Sequence, residues 1–173
     1  MPNRPHKPSI MSNLNHCWTT TDEWEATGGG FPRLDALKLP MIDEIAVING
    51  VPQNVTMSTF DISKLKPRSF LKWWDDGCVL GRKMRKRAVK LNGNLGLADG
   101  ERMLIEQDKI PSKFRSFEIL LPGTVLRGSN DLLFIPYLYW VPAYKEGKGI
   151  WQKGFRLLDF GGFYDNACLA CIE

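Results

Sequence analysis

The sequence predicts an α+β domain in which a mainly antiparallel sheet, a meander of C-terminal strands, packs against one or two short helices. Its 173 residues suit a single domain, and a composition of 43% hydrophobic and 24% charged residues is typical of soluble globular proteins. An apolar repeat at helical spacing lies near the middle of the chain, and β-prone runs separated by turn residues fill its last third. Strands that do not alternate with helices argue against a doubly wound parallel sheet.

The N-terminus predicts an extended tail over residues 1–12, followed by one domain over 13–173. Pro2, Pro5 and Pro8 interrupt a segment that lacks the apolar stretch of a secretory signal. The domain itself is expected to begin with a loop.

A glycine-rich loop and a hairpin are predicted next. Gly28–Gly30 leave the backbone almost unconstrained within the loop at 19–31. The β-prone runs Ile45–Ile48 and Val55–Phe60 flank Asn49-Gly50-Val51-Pro52, a connection rich in turn residues. These two runs are therefore expected to pair.

A short helix is predicted between Pro67 and Gly77. Proline suits a first helical turn, glycine can take the left-handed position after a last turn, and Phe70, Leu71 and Trp74 can share an inward face.

A cationic amphipathic helix is predicted to follow. Leu80, Met84, Ala88 and Leu91 repeat at helical spacing, with basic residues mostly opposite. A hairpin arm at Val89–Leu91, turning at Asn92-Gly93, remains an alternative. The segment 99–108 stays open between helix and strand, because its apolar block is too short to show a period.

Five strands are predicted in the C-terminal third, joined as an antiparallel meander. The run Leu132–Val141 is apolar at both parities, which predicts a strand covered on both faces, with Pro136 at a bulge or an unpaired edge position. The five runs are Phe117–Leu121, Thr124–Arg127, Leu132–Val141, Trp151–Phe160 and Tyr164–Ile172.

The cysteines and the apolar runs favour a cytoplasmic protein. Four cysteines, at Cys17, Cys78, Cys168 and Cys171, are too few for a disulfide framework, so thiols in a reducing compartment are expected. The longest apolar stretch, Leu132–Pro142, is too short to span a membrane, and no membrane partner is expected.

Metal chemistry has weak support. Cys168 and Cys171 have the spacing of a zinc knuckle, but a strand would place them on opposite faces, which favours buried core cysteines. A four-ligand site with His16 and Cys17 is geometrically conceivable and less favoured.

Catalytic chemistry has no better support. The two histidines, His6 and His16, lie near the N-terminus, and Gly28–Gly30 lack the context of a phosphate loop. The carboxylate pairs Asp75/Asp76 and Asp159/Asp165 could hold a divalent cation, but ion pairing of Asp75 with Lys72 at the surface is the simpler interpretation. We therefore predict no catalytic residue, no metal and no cofactor, and favour a non-enzymatic protein. An enzyme with an acid-based active site assembled from distant residues stays open as a third alternative.

The strongest functional signal is a basic segment at 64–90. It carries +8 while the whole chain carries +4, so the remainder is acidic by 4. Such charge, interleaved with aromatic residues, is typical of surfaces that contact nucleic acid or a nucleoprotein complex. The predicted binding residues are Lys64, Lys66, Arg68, Lys72, Trp73, Arg82, Lys83, Arg85, Lys86, Arg87 and Lys90.

A protein target is the alternative partner. Trp18, Trp24 and Trp151 lie in segments that look like loops or strand starts, and tryptophan and arginine are enriched at interaction hot spots. A protein-directed inhibitor or adaptor, such as a phage or mobile-element inhibitor of a bacterial defence complex of the anti-CRISPR kind, would have this composition.

The sharpest expectation concerns the helical cations, which should bind rather than stabilise the fold. Alanine at Arg85, Lys86 and Arg87 is expected to change the stability by only about 0.5 kcal/mol per site. Met84→Ala should instead cost about 2–5 kcal/mol if its side chain is buried.

Overall fold

The computed structural model describes residues 42–57, 59–128, 131–143, 148–159 and 162–172. The predicted tail, the glycine-rich loop and the residues His6, His16, Cys17, Trp18 and Trp24 lie outside the described residues. Within the described ranges no helix is long and apolar enough to cross a membrane.

The described chain forms nine strands and two α-helices, with three short 3-10 turns. The strands are β1 (Ile42–Ile45), β2 (Val47–Ile48), β3 (Val51–Pro52), β4 (Lys66–Arg68), β5 (Glu118–Leu120), β6 (Leu126–Gly128), β7 (Leu133–Val141), β8 (Ile150–Leu157) and β9 (Ala167–Cys171). The helices are α1 (Gly81–Lys90) and α2 (Leu97–Ile105), and the 3-10 turns are Ile62–Lys64, Gln107–Lys109 and Ser112–Phe114.

Strand β7 is the centre of a seven-stranded, mainly antiparallel sheet. Strand β8 pairs along β7 from Phe134 to Val141, while β5 and β6 pair with it in succession, at 137–138 and 133–134. Strand β1 extends the sheet beside β6, and β9 and then β4 extend it beside β5. The predicted α+β class with a mainly antiparallel sheet is thus confirmed.

The predicted meander holds only in part. Strands β6, β7 and β8 follow one another as antiparallel neighbours, whereas β9 returns across the sheet and lies parallel to β5. Each of the five predicted C-terminal runs overlaps one strand. Their order in space differs because a parallel neighbour leaves no local signal in the sequence.

Pro136 explains why β5 and β6 are two strands instead of one. The chain between β5 and β6 does not pair with β7 at Ile135 and Pro136, the two residues between the pairings of these strands. At this point the Leu121 N–H donates a hydrogen bond of 3.0 Å to the Pro136 carbonyl. In an antiparallel ladder the N–H and C=O of one residue point to the same neighbouring strand. The N–H that proline lacks would therefore have pointed to the gap between β5 and β6. The predicted irregularity is present, but in the central strand and not at an edge.

The sheet is covered on both faces, as the apolar pattern of the central strand predicts. Ile135 of β7 packs in one cluster with Met84 and Ala88 of α1. Leu138, of the opposite parity, packs in the other cluster with Met103 of α2. The two helices therefore cover opposite faces of the sheet.

The helix predicted after Pro67 is wrong. Pro67 lies in β4, whose neighbours are Cys171, Ala170 and Leu169 of β9, and the chain then passes through turns to Gly77. A proline is tolerated at the edge of a sheet, where no donor is required from it. Gly77 does adopt positive φ, at 78°, but in a turn.

The predicted hairpin is confirmed at its turn and wrong in its second arm. Asn49 and Gly50 both have positive φ, as a two-residue turn of this kind requires. Val47–Ile48 pairs with Val51–Pro52, so the tight turn leaves Val55–Phe60 outside the hairpin.

Helix α1 confirms the cationic amphipathic helix and excludes the alternative hairpin. Asn92 takes positive φ and its N–H reaches the Val89 carbonyl, while the Gly93 N–H reaches the Ala88 carbonyl. This pair of hydrogen bonds ends the helix in a Schellman motif. Of the four predicted inward residues, Met84 and Ala88 are buried, but Leu80 and Leu91 at the two ends are exposed.

The segment at 99–108, which the sequence left open between helix and strand, is mostly helical. Helix α2 begins at Leu97, and the buried Asp99 carboxylate accepts hydrogen bonds from the N–H groups of Gly96 and Met57. A carboxylate in the first turn satisfies free N–H groups and interacts favourably with the helix dipole.

Candidate functional site

A cleft of about 370 Å³ lies between α1 and the segment Ser69–Lys72. Five of its nine lining residues are cationic, and Leu71 and Leu91 add apolar surface. The cations are Lys72, Lys83, Lys86, Arg87 and Lys90. We refer to this feature as the cationic cleft.

The rotation of α1 decides which cations reach the cleft. Successive residues of a helix are about 100° apart, so the burial of Met84 and Ala88 fixes where every other side chain points. Lys86 lies opposite this buried stripe and lines both the cationic cleft and a second groove on the other flank of the helix. It therefore forms a ridge between the two.

Asp75 organises the floor of the cleft. Its side chain has no solvent exposure, and its carboxylate accepts two hydrogen bonds from the Arg87 guanidinium and one of 2.9 Å from Lys83 Nζ. It also accepts a hydrogen bond of 2.7 Å from the Lys72 N–H. The carboxylate therefore joins α1 to the turn that carries the opposite wall of the cleft.

The electrostatics of this cluster keep Asp75 ionised. Hydrogen bonding from Arg87 is the largest cause that holds the pKa of Asp75 well below its usual range, and it outweighs the opposing effect of burial. The same contact raises the pKa of Arg87. Arg87 also donates to the Phe70 carbonyl at 2.8 Å, so its guanidinium group is engaged by partners inside the protein.

Three lysines of the cleft remain available to a ligand. Within the described part of the chain, no carboxylate forms an ion pair with Lys72, Lys86 or Lys90. Lys86 and Lys90 are exposed on α1, and the Lys72 ammonium lies over the Trp74 ring, 4.8 Å from its centroid. The cleft thus has a net positive charge after its internal pairing is counted.

Two adjacent tryptophans lie beside the cleft. Trp73 is 91% exposed, and its ring meets that of Trp74 edge to face, with centroids 5.3 Å apart. Trp74 is 54% exposed, so the prediction that it faces the core is wrong, whereas Phe70 is buried as predicted. The turn at residues 73–77 displaces Trp74 from the face that a helix would have shared with Phe70.

The predicted binding residues do not all converge. Lys64 is exposed, 3.7 Å from Asp61, and Lys66 and Arg68 lie on β4, outside the cleft lining. Arg82 pairs with Asp159 at 3.1 Å on the far side of the ridge. The site that forms contains Lys72, Lys83, Lys86, Arg87 and Lys90, with Trp73 beside it.

Arg85 and Arg87 contradict the expectation that the helical cations serve binding alone. Arg85 is partly buried and donates to the Pro122 carbonyl at 2.9 Å and to the Gln53 side chain at 3.2 Å. Both arginines flank the buried stripe of α1, where a long side chain reaches neighbouring backbone carbonyls. Their replacement by alanine must therefore cost stability beyond the value for a surface site.

Sequence reasoning missed the role of Asp75, which was expected to pair at the surface. It also missed Ser69, Leu71 and Leu91 as cleft residues. The available signal was the pair Asp75 and Asp76, the only acids in a segment of ten cations, which pointed to at least one committed ion pair.

A larger, open depression of about 670 Å³ lies near α2, but its charges are balanced. Its cations Arg102 and Lys109 both approach Glu106, and Asp61 adds a second acid. This depression therefore offers no excess charge of either sign.

The metal and thiol alternatives find no support among the described residues. No group of three or more potential ligands from His, Cys, Asp and Glu comes together there. Cys171 and Cys168 lie in the clusters on opposite faces of the sheet, as a strand predicts. Burial, with a smaller contribution from Cys171, raises the pKa of the Cys168 thiol to about 12, so it is protonated and a poor nucleophile at neutral pH.

Trp151 is not an interface residue of the kind predicted. It is buried, and its ring packs edge to face on Trp140, with centroids 5.6 Å apart.

Comparison with known proteins assigns no relative to this chain. No family model, curated protein or solved structure matches it.

Proposed function

We propose that the protein binds nucleic acid, free or within a nucleoprotein complex, through the cationic cleft. The observation that carries this proposal is the convergence of Lys72, Lys86 and Lys90 on one cleft without a described carboxylate partner. Clustered cations neutralise backbone phosphates and release counterions, which supplies affinity for any sequence.

The geometry of the cleft supports phosphate contacts rather than general solvation of a charged face. Asp75 and Arg87 hold the two walls together, so the lysine ammonium groups start from a fixed backbone. A preorganised site loses less conformational entropy on binding than separate lysines on a mobile surface.

The test measures the affinity of a short labelled oligonucleotide as a function of salt concentration. Lys86→Ala/Lys90→Ala should reduce the salt slope by about 1 per lysine and weaken binding almost uniformly across sequences. Lys113→Ala/Lys148→Ala removes the same charge from exposed positions outside the cleft and is the matched control. Equal loss of affinity in both variants, or no binding by the wild type at low salt, would refute the proposal.

A protein target is the second candidate, favoured by the other flank of α1. The groove there, about 340 Å³ in volume, is lined by Ile48, Val89 and Leu133 together with Arg82 and Arg85. Val89 is 63% exposed, which suits an amphipathic surface for an inhibitor or adaptor of a protein complex. Binding there should depend far less on salt than phosphate binding does.

A further inference from the structure

We infer that the ligand of the cationic cleft is a single strand, with an unpaired base stacked on Trp73 while its neighbouring phosphates lie against the cleft lysines. This inference rests on the proposed function and deepens it by naming the class of nucleic acid. It starts from the exposure of Trp73, a large aromatic residue that is 91% exposed.

Trp73 is held in place even though it is exposed. The turn that carries it is closed by the Asp75 N–H, which donates to the Lys72 carbonyl at 2.9 Å, and by the Asp75 carboxylate, which accepts from the Lys72 N–H. Trp74 supports the ring edge to face. An aromatic ring on a fixed backbone is a stacking platform that is ordered before the ligand arrives.

The platform lies next to the phosphate site. Lys72 lines the cationic cleft, its ammonium lies 4.8 Å from the centroid of the Trp74 ring, and the Trp73 ring lies against Trp74 with centroids 5.3 Å apart. A chain that places a phosphate near Lys72 therefore brings an adjacent base within reach of the Trp73 ring. Cations along a groove with an aromatic platform beside it are the recurring arrangement in proteins that bind single strands.

A duplex fits this arrangement less well. Its bases are stacked on one another, and presenting one face to Trp73 requires unstacking, which costs binding affinity. A protein hot spot would also use an exposed tryptophan, but the lysines around this one favour a polyanion over an apolar protein surface.

The experiment compares oligothymidylate, a fully paired blunt-ended duplex and inorganic polyphosphate as ligands of the full chain, with wild type, Trp73→Ala and Trp73→Phe. Trp73→Ala should weaken oligothymidylate binding about 5- to 150-fold, the range for the loss of one stacked base. Trp73→Phe should restore part of that affinity, and binding of polyphosphate, which has no bases, should be unchanged. The wild type should bind oligothymidylate more tightly than the duplex.

The control is Ile105→Ala, which removes an exposed apolar side chain, 84% accessible, from α2 on the opposite face of the sheet. Thermal melts of all variants should coincide, because neither side chain is buried. Equal affinity of the wild type for duplex and single strand, or a loss in Trp73→Ala that polyphosphate shares, would overturn the single-strand inference. Loss of all three ligands in Lys86→Ala/Lys90→Ala would still uphold the proposed function, and binding of none of them by the wild type would end both proposals.

Discussion

Asp75 decides how many cations this protein can offer to a ligand. A buried carboxylate has to be compensated, and Arg87 and Lys83 provide that compensation at the expense of their own availability. The segment at 64–90 carries ten cations, but the exposed charge in the cleft comes chiefly from Lys72, Lys86 and Lys90. One acid therefore turns a generally basic segment into a site with a defined shape.

Asp75 should also make the stability depend on pH. Its pKa is lower in the folded protein than in the unfolded chain, so its ionised form stabilises the fold above about pH 4, and this contribution is lost as the pH falls below that value. Asp75→Asn should lower the melting temperature at neutral pH and make the decline on the acid side shallower.

The control for this pH series is Asp76→Asn, which changes an exposed neighbour and should follow the wild type closely. Melting temperatures measured from neutral to acidic pH check the prediction. Parallel curves for Asp75→Asn and the wild type would contradict the role that we assign to this carboxylate.

At the scale of elements, α1 serves both as core and as one wall of the site. Its buried stripe, Met84 and Ala88, was readable from apolar spacing alone. The commitment of Arg85 and Arg87 was not, because their acceptors are the Pro122 and Phe70 carbonyls and Asp75, which local periodicity does not place. Sequence patterns thus located the helix, but they did not show which of its cations pair inside the protein and which stay exposed.

The end of α1 provides a stability prediction. Asn92 holds positive φ at 55°, where a residue with a Cβ is disfavoured by about 1–2 kcal/mol unless its side chain compensates. Asn92→Ala should therefore destabilise the fold by about 1–2 kcal/mol, and more than Asn92→Gly, which accepts the left-handed conformation. Both variants lose the hydrogen bond to the Ile172 carbonyl, so their difference isolates the backbone effect. Equal denaturant midpoints would contradict this assignment.

The segment around Pro67 shows where the prediction of a helix from local sequence fails. Proline at a first turn and glycine ten residues later fit a helix, yet Lys66–Arg68 pairs with strand β9 near the C-terminus.

 The paired residues are Cys171, Ala170 and Leu169, about a hundred positions further along the chain. A pairing of this kind is decided by tertiary contacts that override local propensity. The same limit explains why Trp74 was placed in the core and is found at the surface.

At the scale of the whole molecule, the class of the fold followed from the sequence, but the order of its strands did not. The apolar run of β7 at both parities correctly indicated a sheet covered on both faces, with α1 and α2 on opposite sides. The parallel contact of β9 with β5 depends on where the chain returns after β8, which strand propensity does not encode.

The fold also explains why the sequence indicated only some of the residues that line the cationic cleft. The cationic cleft combines a turn at 69–72 with a helix at 81–90, and these meet because Asp75 and the sheet bring them together. Charge density along the sequence therefore indicated the segment that contains the cleft, while the position of Lys64 and Arg82 outside its lining required the three-dimensional fold.

The most direct test of the central claim is a nuclear magnetic resonance titration of the isotope-labelled full chain with a short oligothymidylate. If the cationic cleft is the binding site, the backbone amides that shift most should be those of residues 69–74 and 83–91, and the shifts should diminish as salt is added. Shifts concentrated instead at the charge-balanced depression near Arg102 and Lys109, or at Ile48, Gln53 and Leu133 of the second groove without shifts at 69–74, would contradict the account.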